Sequence, residues 1–239
     1  MCYTLQVGRK HFEYRKSLVF TDLNSILGQL DNYKGEATDP SRDGSPIVFM
    51  FPGQGIQQID LGKDLYLHIL SFREDMDRGF QILPKLTGTD FKNIFYSTEQ
   101  SGVDINSTCY TQPLIFLYEY SFARLATSMG LIPKQMIGHS LGEYVAACLS
   151  GVFNFEDALY LVAKRGELMD KLPGGMKISV NLSDAQVHEY LSNRISLASI
   201  NGPSQTVLSG DKESMNKLTS YLETAGIDYF ELPTSHAFH

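Results

Sequence analysis

The sequence predicts an α/β protein in which a larger body carries a smaller inserted subdomain. Two short apolar runs, at 47–51 and 135–137, are typical of buried strands, and the second leads into a tight turn at 138–142. From residue 176 onward the chain changes to short units in the order strand, helix, strand, strand, helix, strand. Because that order is typical of a ferredoxin-like arrangement, we expect such a subdomain at about 175–233.

The first 45 residues are predicted to form an appendage to a main body at 46–239. Residues 12–20 alternate well enough for a short strand, and Asp22 is placed to cap a helix over 23–30. The Gly, Asp, Ser and Pro content of the stretch that follows, 35–45, indicates a linker. The appendage is too small to bury a core of its own.

Helix signals in the main body come from apolar periodicity and from capping residues. Pro113 is expected in the first turn of the longest helix, and Asn154 is placed to cap the last large one. The helices of the larger body are predicted at 61–86, 111–130, 143–149 and 155–172. In the small subdomain we predict strands at 177–181, 195–200, 205–209 and 228–232, and helices at 184–192 and 212–225.

Composition and charge exclude several classes of function. The chain has 239 residues, with 20 Lys and Arg dispersed among 27 Asp and Glu, so we expect no nucleic-acid partner. No apolar run approaches the ~18 residues of a membrane helix, and the start of the chain lacks a secretory signal, so a cytoplasmic protein is expected. Cys2, Cys109 and Cys148 fit neither a metal spacing nor a disulfide framework.

The sharpest local signal is the pentapeptide GHSLG at 138–142. It lies between a predicted strand and a predicted helix, which is the setting of a nucleophile elbow. Glycines on both sides allow the tight turn, and Ser140 then lies at a helix N-terminus. The pattern favours Ser140 as a nucleophile and makes the larger body hydrolase-like, the alternative being a chance match in a loop.

A serine nucleophile needs a base, which is usually a histidine. Of the six histidines, one lies in the appendage, two lie in predicted helices, and one is part of the turn itself. His236 and His239 follow the last predicted strand, in a loop of the kind that often bears catalytic groups. Either is a candidate base, against the alternative of a solvated histidine near a terminus.

Arg165 falls on the apolar stripe predicted for the helix over 155–172, three residues after Val162 and four after Leu161. An arginine that faces a core needs a partner. A structural salt bridge, or a side chain that snorkels to solvent, is one explanation. The other is a bidentate clamp for a ligand carboxylate, which would supply the local cation that an acidic protein needs to hold an anion.

The loop GQG at 53–55 follows the first predicted strand. It lacks the full dinucleotide fingerprint and the lysine and serine of a P-loop, so we do not predict nucleotide binding. Its backbone N–H groups are candidates for half of an oxyanion hole, with the N–H of Leu141 as the other half. A plain turn is the alternative.

Together, FPGQG, TQP, GHSLGEYVAA, RGELM and HAFH, in this order, resemble the acyltransferase domain, or malonyl-CoA:acyl carrier protein transacylase, of modular polyketide synthases and type I fatty acid synthases. The resemblance covers nearly the whole chain. TLQVGRKHFEYR, in the appendage, resembles the end of the linker between a ketosynthase and its acyltransferase. We therefore expect 1–45 to be part of such a linker.

The resemblance implies that Ser140 is the acylated nucleophile and that His239, the last residue of HAFH, is its base. It implies an oxyanion hole formed by the backbone amides of Gln54 and Leu141, and an Arg165 that binds the free carboxylate of the substrate. The other positions implied to shape the substrate pocket are Gln112, Asn201, His236 and Phe238. In this family HAFH, with an aliphatic residue after the serine, goes with malonyl rather than methylmalonyl units.

The implied activity is transfer of a malonyl unit from CoA to the phosphopantetheine thiol of an acyl carrier protein, in polyketide or fatty acid biosynthesis. The implied partners are malonyl-CoA, an acyl carrier protein and the ketosynthase domain of the same synthase, with no metal and no bound cofactor. Because the family continues past HAFH, we also expect this chain to be a C-terminally truncated fragment of a multidomain synthase.

Two other classes of function stay open on the sequence. A serine esterase or thioesterase shares the nucleophile and the histidine but also requires an acidic residue to complete a catalytic triad. The candidates for that residue are Asp184, Asp211 and Asp228. It also leaves Arg165 unexplained. The third class is an inactive acyltransferase remnant used for docking. The intact Ser140, His239 and Arg165 argue against it, whereas the expected truncation argues for it.

Overall fold

The computed structural model describes residues 2–10, 12, 14, 16–35, 45–96, 103–232 and 236–237. It divides into two compact units, Met1–Pro46 and Ile47–His239, one residue beyond the predicted boundary. Most of the predicted linker, 36–44, lies outside the described residues. No helix in the described part of the chain is long and apolar enough to cross a membrane.

The first unit contains two helices, α1 (Cys2–Val7) and α2 (Leu23–Asp31). The predicted cap of α2 is confirmed: Asp22 accepts a hydrogen bond of 2.9 Å from the N–H of Ser25, which lowers the pKa of that carboxyl. The predicted strand over 12–20 is wrong, since its described residues pair with no other segment and most are exposed. A strand needs a neighbour, and this unit buries none of its described residues.

In the larger part of the second unit, helices pack against one face of a parallel pair of strands. β1 (Ile47–Phe51) pairs with β2 (Pro133–Gly138), with Phe51 opposite Gly138. The helices are α3 (Lys63–His68), α4 (Leu70–Thr87), α5 (Phe91–Tyr96), α6 (Thr108–Ser128), α7 (Leu141–Leu149) and α8 (Phe155–Asp170). The most buried of them is α6, which packs against α4 and α8 and so forms the centre of this part of the molecule.

The positions of β1 and β2 are confirmed, but their predicted burial is wrong. Val48, Met50 and Ile137 are exposed, Met50 to 74%. Phe49 and Met136 pack against the core instead. Because side chains alternate along a strand, a strand covered by helices on one face exposes every second residue.

The helix boundaries differ from the predicted ones mainly at α6. This helix begins at Thr108 rather than Thr111, so Pro113 lies in its second turn and leaves the carbonyl of Cys109 without the usual main-chain donor. α5 has no counterpart among the predicted elements, because six residues are too few to show a helical period.

The small subdomain has the predicted order of elements. These are β3 (Gly175–Val180), α9 (Asp184–Val187), β4 (Ile195–Gly202), β5 (Gln205–Asp211), α10 (Lys212–Thr224) and β6 (Tyr229–Glu231), with a short 3-10 turn at His188–Tyr190 where the first helix was predicted to continue. The strands form an antiparallel sheet in the order β4-β5-β3-β6. Ile178, Leu208 and Met215 belong to its own apolar core.

A carboxyl group, that of Glu119, is buried in the middle of α6. Its side chain is 5% exposed, and neither oxygen has a hydrogen-bond partner among the described residues. It lines an apolar cavity of about 340 Å³ between β1 and α6. Burial raises the pKa of Glu119 to about 8, so the group is protonated at neutral pH.

Glu119→Gln should stabilise the protein by a margin that grows with pH. Below about pH 4.5 the carboxyl is protonated in the folded and unfolded chains alike, whereas between there and about pH 8 only the unfolded chain releases the proton. Stability of the parent therefore falls as pH rises through this window, by at most about 1.4 kcal/mol per pH unit. Urea unfolding at several pH values measures the margin. The exposed Glu74→Gln is the control, and an equal, pH-independent effect of both variants would contradict the prediction.

Candidate functional site

Ser140 lies in the turn that joins β2 to α7, as predicted. Its φ of 53° and ψ of −112° lie in a strained region, and besides Asp60 it is the only non-glycine residue with positive φ in the described part of the chain. A Cβ on Gly142 would overlap the carbonyl oxygen of Phe51, and one on Gly138 would overlap the backbone of Gly142 and Glu143. The two glycines are thus required by close backbone approach, and the turn has the form of a nucleophile elbow.

The N-terminus of α7 begins directly after Ser140. The N–H groups in the first turn of a helix lack partners within that helix, and the helix dipole favours negative charge there. Leu141 is the first residue of α7 and is buried. This end of the helix is therefore suited to an oxyanion that forms beside Ser140.

The GQG loop after β1 packs against the elbow. A Cβ on Gly53 would lie 3.1 Å from the carbonyl oxygen of His139 and 3.3 Å from Cβ of Ser140. The N–H of His139 also donates to the carbonyl of Phe51 at 2.9 Å. Gln54, the residue after Gly53, therefore lies in a loop that packs against the elbow, although it is far from Ser140 in the sequence.

A chain of hydrogen bonds leads from this loop to Arg165. Nη1 of Arg165 donates to Oε1 of Gln112 at 2.6 Å, and Nε2 of Gln112 lies 3.3 Å from Oε1 of Gln54. Gln112 is fully buried in α6, and Arg165 lies on α8. Three residues predicted from separate motifs are thus brought together by three elements of the larger body.

The guanidinium of Arg165 is held by groups without net charge. Besides Gln112, it faces the ring of Tyr144, with 5.6 Å between Cζ and the ring centroid. No carboxylate of the described residues forms a salt bridge with it. The side chain is half-buried, so the structural salt bridge considered for Arg165 is not present in the described part.

The apolar stripe predicted for α8 is partly wrong. Leu161, which the sequence places on the stripe, is exposed. The buried face is formed by Phe155, Ala158, Leu159, Val162, Ala163 and Gly166. A Cβ on Gly166 would lie 2.9 Å from the carbonyl oxygen of Thr108, so α8 approaches α6 along its glycine side. This contact sets the rotation of α8 about its own axis, so Arg165 lies at the edge of the buried face rather than within it.

Lys177 and Tyr144 belong to this region and were not predicted. Lys177, on β3, is only 8% exposed, and its burial, together with the charge of Arg165, lowers the pKa of its ammonium group. A lysine inside the apolar stretch MKISV could have indicated a buried cation. Because side chains alternate along a strand, however, the same pattern also allows Lys177 to face solvent. The ring of Tyr144 gives no signal in a sequence, because its contact depends on how α7 and α8 pack.

The structure describes part of the HAFH motif. His236 is half-buried, and Ala237 packs against Gly175 at the start of β3. Phe238 and His239 lie outside the described residues, so the role of His239 as base stays a prediction. Asn201 is exposed and lines a separate groove of about 400 Å³ on the small sheet.

The acidic residues considered for a hydrolase triad have other contacts or another location. Asp184 lies 3.6 Å from His188, and Asp211 caps α10 by accepting the N–H of Ser214 at 2.9 Å. Asp228 lines the groove that contains Asn201. Among the described residues no cluster of three His, Cys, Asp or Glu side chains could hold a metal ion.

Gly142→Ala should lower the free energy of unfolding by about 3 kcal/mol or more, because the added methyl group would overlap backbone that cannot move away cheaply. Gly202→Ala is the matched control: its Cβ would lie 3.8 Å from the nearest side chain, and we expect a change within about 1 kcal/mol. Chemical denaturation measures both. Similar values for the two variants would show that the close approach at the elbow is not needed.

Residues 48–239 match the model of the acyl transferase domain family, and residues 1–30 match a model described as CurL-like, PKS C-terminal. Mycoketide-CoA synthase of Mycobacterium tuberculosis is 33% identical over 239 residues, which cover 97% of this chain and 6% of that protein. PKS-NRPS hybrid synthetase acdB of Aspergillus candidus is 33% identical over 251 residues, covering 100% of this chain and 10% of that protein.

Solved structures agree with these sequence matches. The acyl transferase domain of ZmaA has a TM-score of 0.89 at 35% identity, covering 98% of this chain and 57% of that one. Malonyl CoA-acyl carrier protein transacylase from Clostridium perfringens has a TM-score of 0.69 at 29% identity, covering 82% and 63%. This chain belongs to the acyl transferase domain family, and its sequence and fold are those of the acyltransferase domains of modular polyketide synthases.

Proposed function

We propose that this acyltransferase moves a malonyl group from CoA to the phosphopantetheine thiol of an acyl carrier protein, through an ester on Ser140. The observation that carries the proposal is Arg165. The residue is half-buried, its guanidinium donates a hydrogen bond to the neutral Gln112, and it has no carboxylate partner among the described residues. A chain of contacts leads from Ser140 to Arg165. Malonyl-CoA has a thioester that Ser140 can attack and a free carboxylate that Arg165 can bind.

In the first half-reaction Ser140 attacks the thioester carbonyl of malonyl-CoA. His239, assigned by its motif, takes the hydroxyl proton, and the N–H groups of Gln54 and Leu141 receive the oxyanion. The C–S bond then breaks, and the thiolate of CoA leaves with the proton from the imidazolium. Malonyl remains on Ser140 as an ester.

In the second half-reaction the thiol of the carrier protein's phosphopantetheine attacks that ester. His239 takes the thiol proton and returns a proton to the serine oxygen as it leaves. The sum is malonyl-CoA plus carrier thiol giving malonyl-carrier plus free CoA, with no redox step and no need for a metal. Among the structural neighbours, one is described as a malonyl-transacylase in complex with an acyl carrier protein, which supports the partner assigned here.

Arg165 selects the acyl group by its charge. A guanidinium can donate two parallel hydrogen bonds to a carboxylate. An acyl group without a carboxylate leaves these N–H donors of Arg165 unpaired. The malonyl preference over methylmalonyl rests on HAFH and on Leu141, with His236 and Phe238 shaping the pocket. Asn201 and the ketosynthase of the same synthase are further contacts assigned by motif, and residues 1–30 match a model described as CurL-like, PKS C-terminal.

The competing functions are less well supported. A thioesterase needs an acid for its histidine, and Asp184 and Asp211 are engaged elsewhere. An inactive remnant used for docking would have no reason to keep the strained backbone at Ser140, which costs of order 1–3 kcal/mol.

Incubation with malonyl-CoA should add one malonyl group to the protein, detected by intact mass. Ser140→Ala should remove the adduct completely, because the nucleophile is gone, while Ser150→Ala, an exposed serine at the end of α7, should load like the parent. The proposal fails if a cooperatively folded parent gains no mass, or if Ser140→Ala still does.

Arg165→Ala should lower kcat/KM for malonyl-CoA by about 10- to 150-fold and should affect acetyl-CoA far less, because charge-assisted hydrogen bonds to the carboxylate are lost. Lys164→Ala removes the neighbouring exposed cation on the same helix and should leave both rates near those of the parent. The carboxylate role is wrong if Arg165→Ala slows both acyl groups equally.

A further inference from the structure

We propose that Tyr144 is a positioning residue for Arg165, and that the face of its ring sets the preference of the site for acyl groups with a free carboxylate. The inference deepens the proposed function and rests on it. It starts from the contact in which Cζ of Arg165 lies 5.6 Å from the centroid of the Tyr144 ring. That distance is within the range of a cation–π interaction.

The position of Tyr144 links the two ends of the site. It lies four residues after Ser140, and thus one turn into α7. Its ring is half-buried and packs against the core of the larger body, which limits its motion. The same helix therefore presents its N-terminus to the reacting ester and a ring face to the cation that holds the far end of the acyl group.

The ring restrains the guanidinium without using its N–H groups. Arginine has five such donors, and Gln112 takes a hydrogen bond from Nη1. The attraction of the ring acts on the face of the guanidinium, so the donors not used by Gln112 stay available to a ligand. A carboxylate in the place of Tyr144 would hold Arg165 as firmly, but it would neutralise the charge and compete with the substrate.

The ring also offsets an unfavourable neighbour. The positive charge of Arg165 acts on Lys177, which is buried on β3, and two cations near each other repel. An electron-rich ring face attracts a cation and so helps to keep the guanidinium at this place when no substrate is bound. With Gln112 on one side and Tyr144 on another, the fork is preorganised for the incoming carboxylate.

The test compares the rates of malonyl and acetyl transfer in variants of Tyr144. Tyr144→Leu should lower kcat/KM for malonyl-CoA by about 2- to 30-fold, mostly through KM, because the fork loses its support. The rate with acetyl-CoA, which has no carboxylate, should stay near that of the parent. Tyr144→Phe keeps the ring face and is the matched control, with both rates within about twofold of the parent.

Several results would overturn the inference. Equal loss for malonyl and acetyl groups in Tyr144→Leu would mean a structural role, and an equal loss of malonyl selectivity in Tyr144→Phe would assign the effect to the hydroxyl. If Tyr144→Leu does not fold, Tyr144→Met, which fills a similar volume without a ring, is measured in its place, with unfolding temperature checked in each variant. An unchanged malonyl preference in a folded variant without the ring also overturns it.

Arg165→Ala separates failure of this inference from failure of the proposed function. If Arg165→Ala keeps the malonyl preference, the carboxylate clamp itself is wrong and Tyr144 has nothing to position. If Arg165→Ala loses the preference while Tyr144→Leu keeps it, the clamp stands and only the role of Tyr144 is wrong.

Discussion

The contact between the end of β1 and the turn after β2 is the constraint on which the site depends. Phe51 lies opposite Gly138 in the parallel pair, its carbonyl accepts the N–H of His139, and it leaves no room for a side chain at Gly142. Parallel strands end at the same edge of a sheet, so the segments that leave them emerge side by side. The elbow and the GQG loop are therefore neighbours because of main-chain pairing, before any side chain of the site is considered.

The packing of α6, the central helix, determines where Arg165 lies relative to this edge of the sheet. α6 is buried along most of its length and brings Gln112 under the GQG loop, while the close approach of α8 at Gly166 sets the rotation that brings Arg165 to Gln112. The amide of Gln112 is suited to this place, since it accepts from the guanidinium with one atom and donates toward the loop with the other. A neutral link of this kind fixes the position of the charge without cancelling it.

The sequence predicts the order of elements and the members of this chain of contacts better than it predicts their exposure. Turn glycines, caps and apolar runs are local, and they locate β1, β2, the elbow, and the helices on either side of it. Exposure depends on partners far along the chain: Met50 is exposed because helices cover one face of its strand, and Leu161 is exposed because Gly166 meets Thr108. Lys177 and Tyr144 were missed for the same reason, as neither has a motif and each matters through a neighbour from another element.

The buried Glu119 and the half-buried Arg165 illustrate two ways in which a fold accommodates an ionisable group that is removed from bulk water. Glu119 lies in an apolar cavity and stays neutral by keeping its proton, which an acid with a pKa of about 8 does at neutral pH. Arg165 has no such option, because a guanidinium does not lose its proton in proteins. Among the described residues, its charge is accommodated by partial exposure, by Gln112 and by the ring of Tyr144. In a chain with a net charge of −7 there is no overall attraction for anions, so an anionic group would depend on a local cation such as Arg165, whose position Gln112 and Tyr144 restrain.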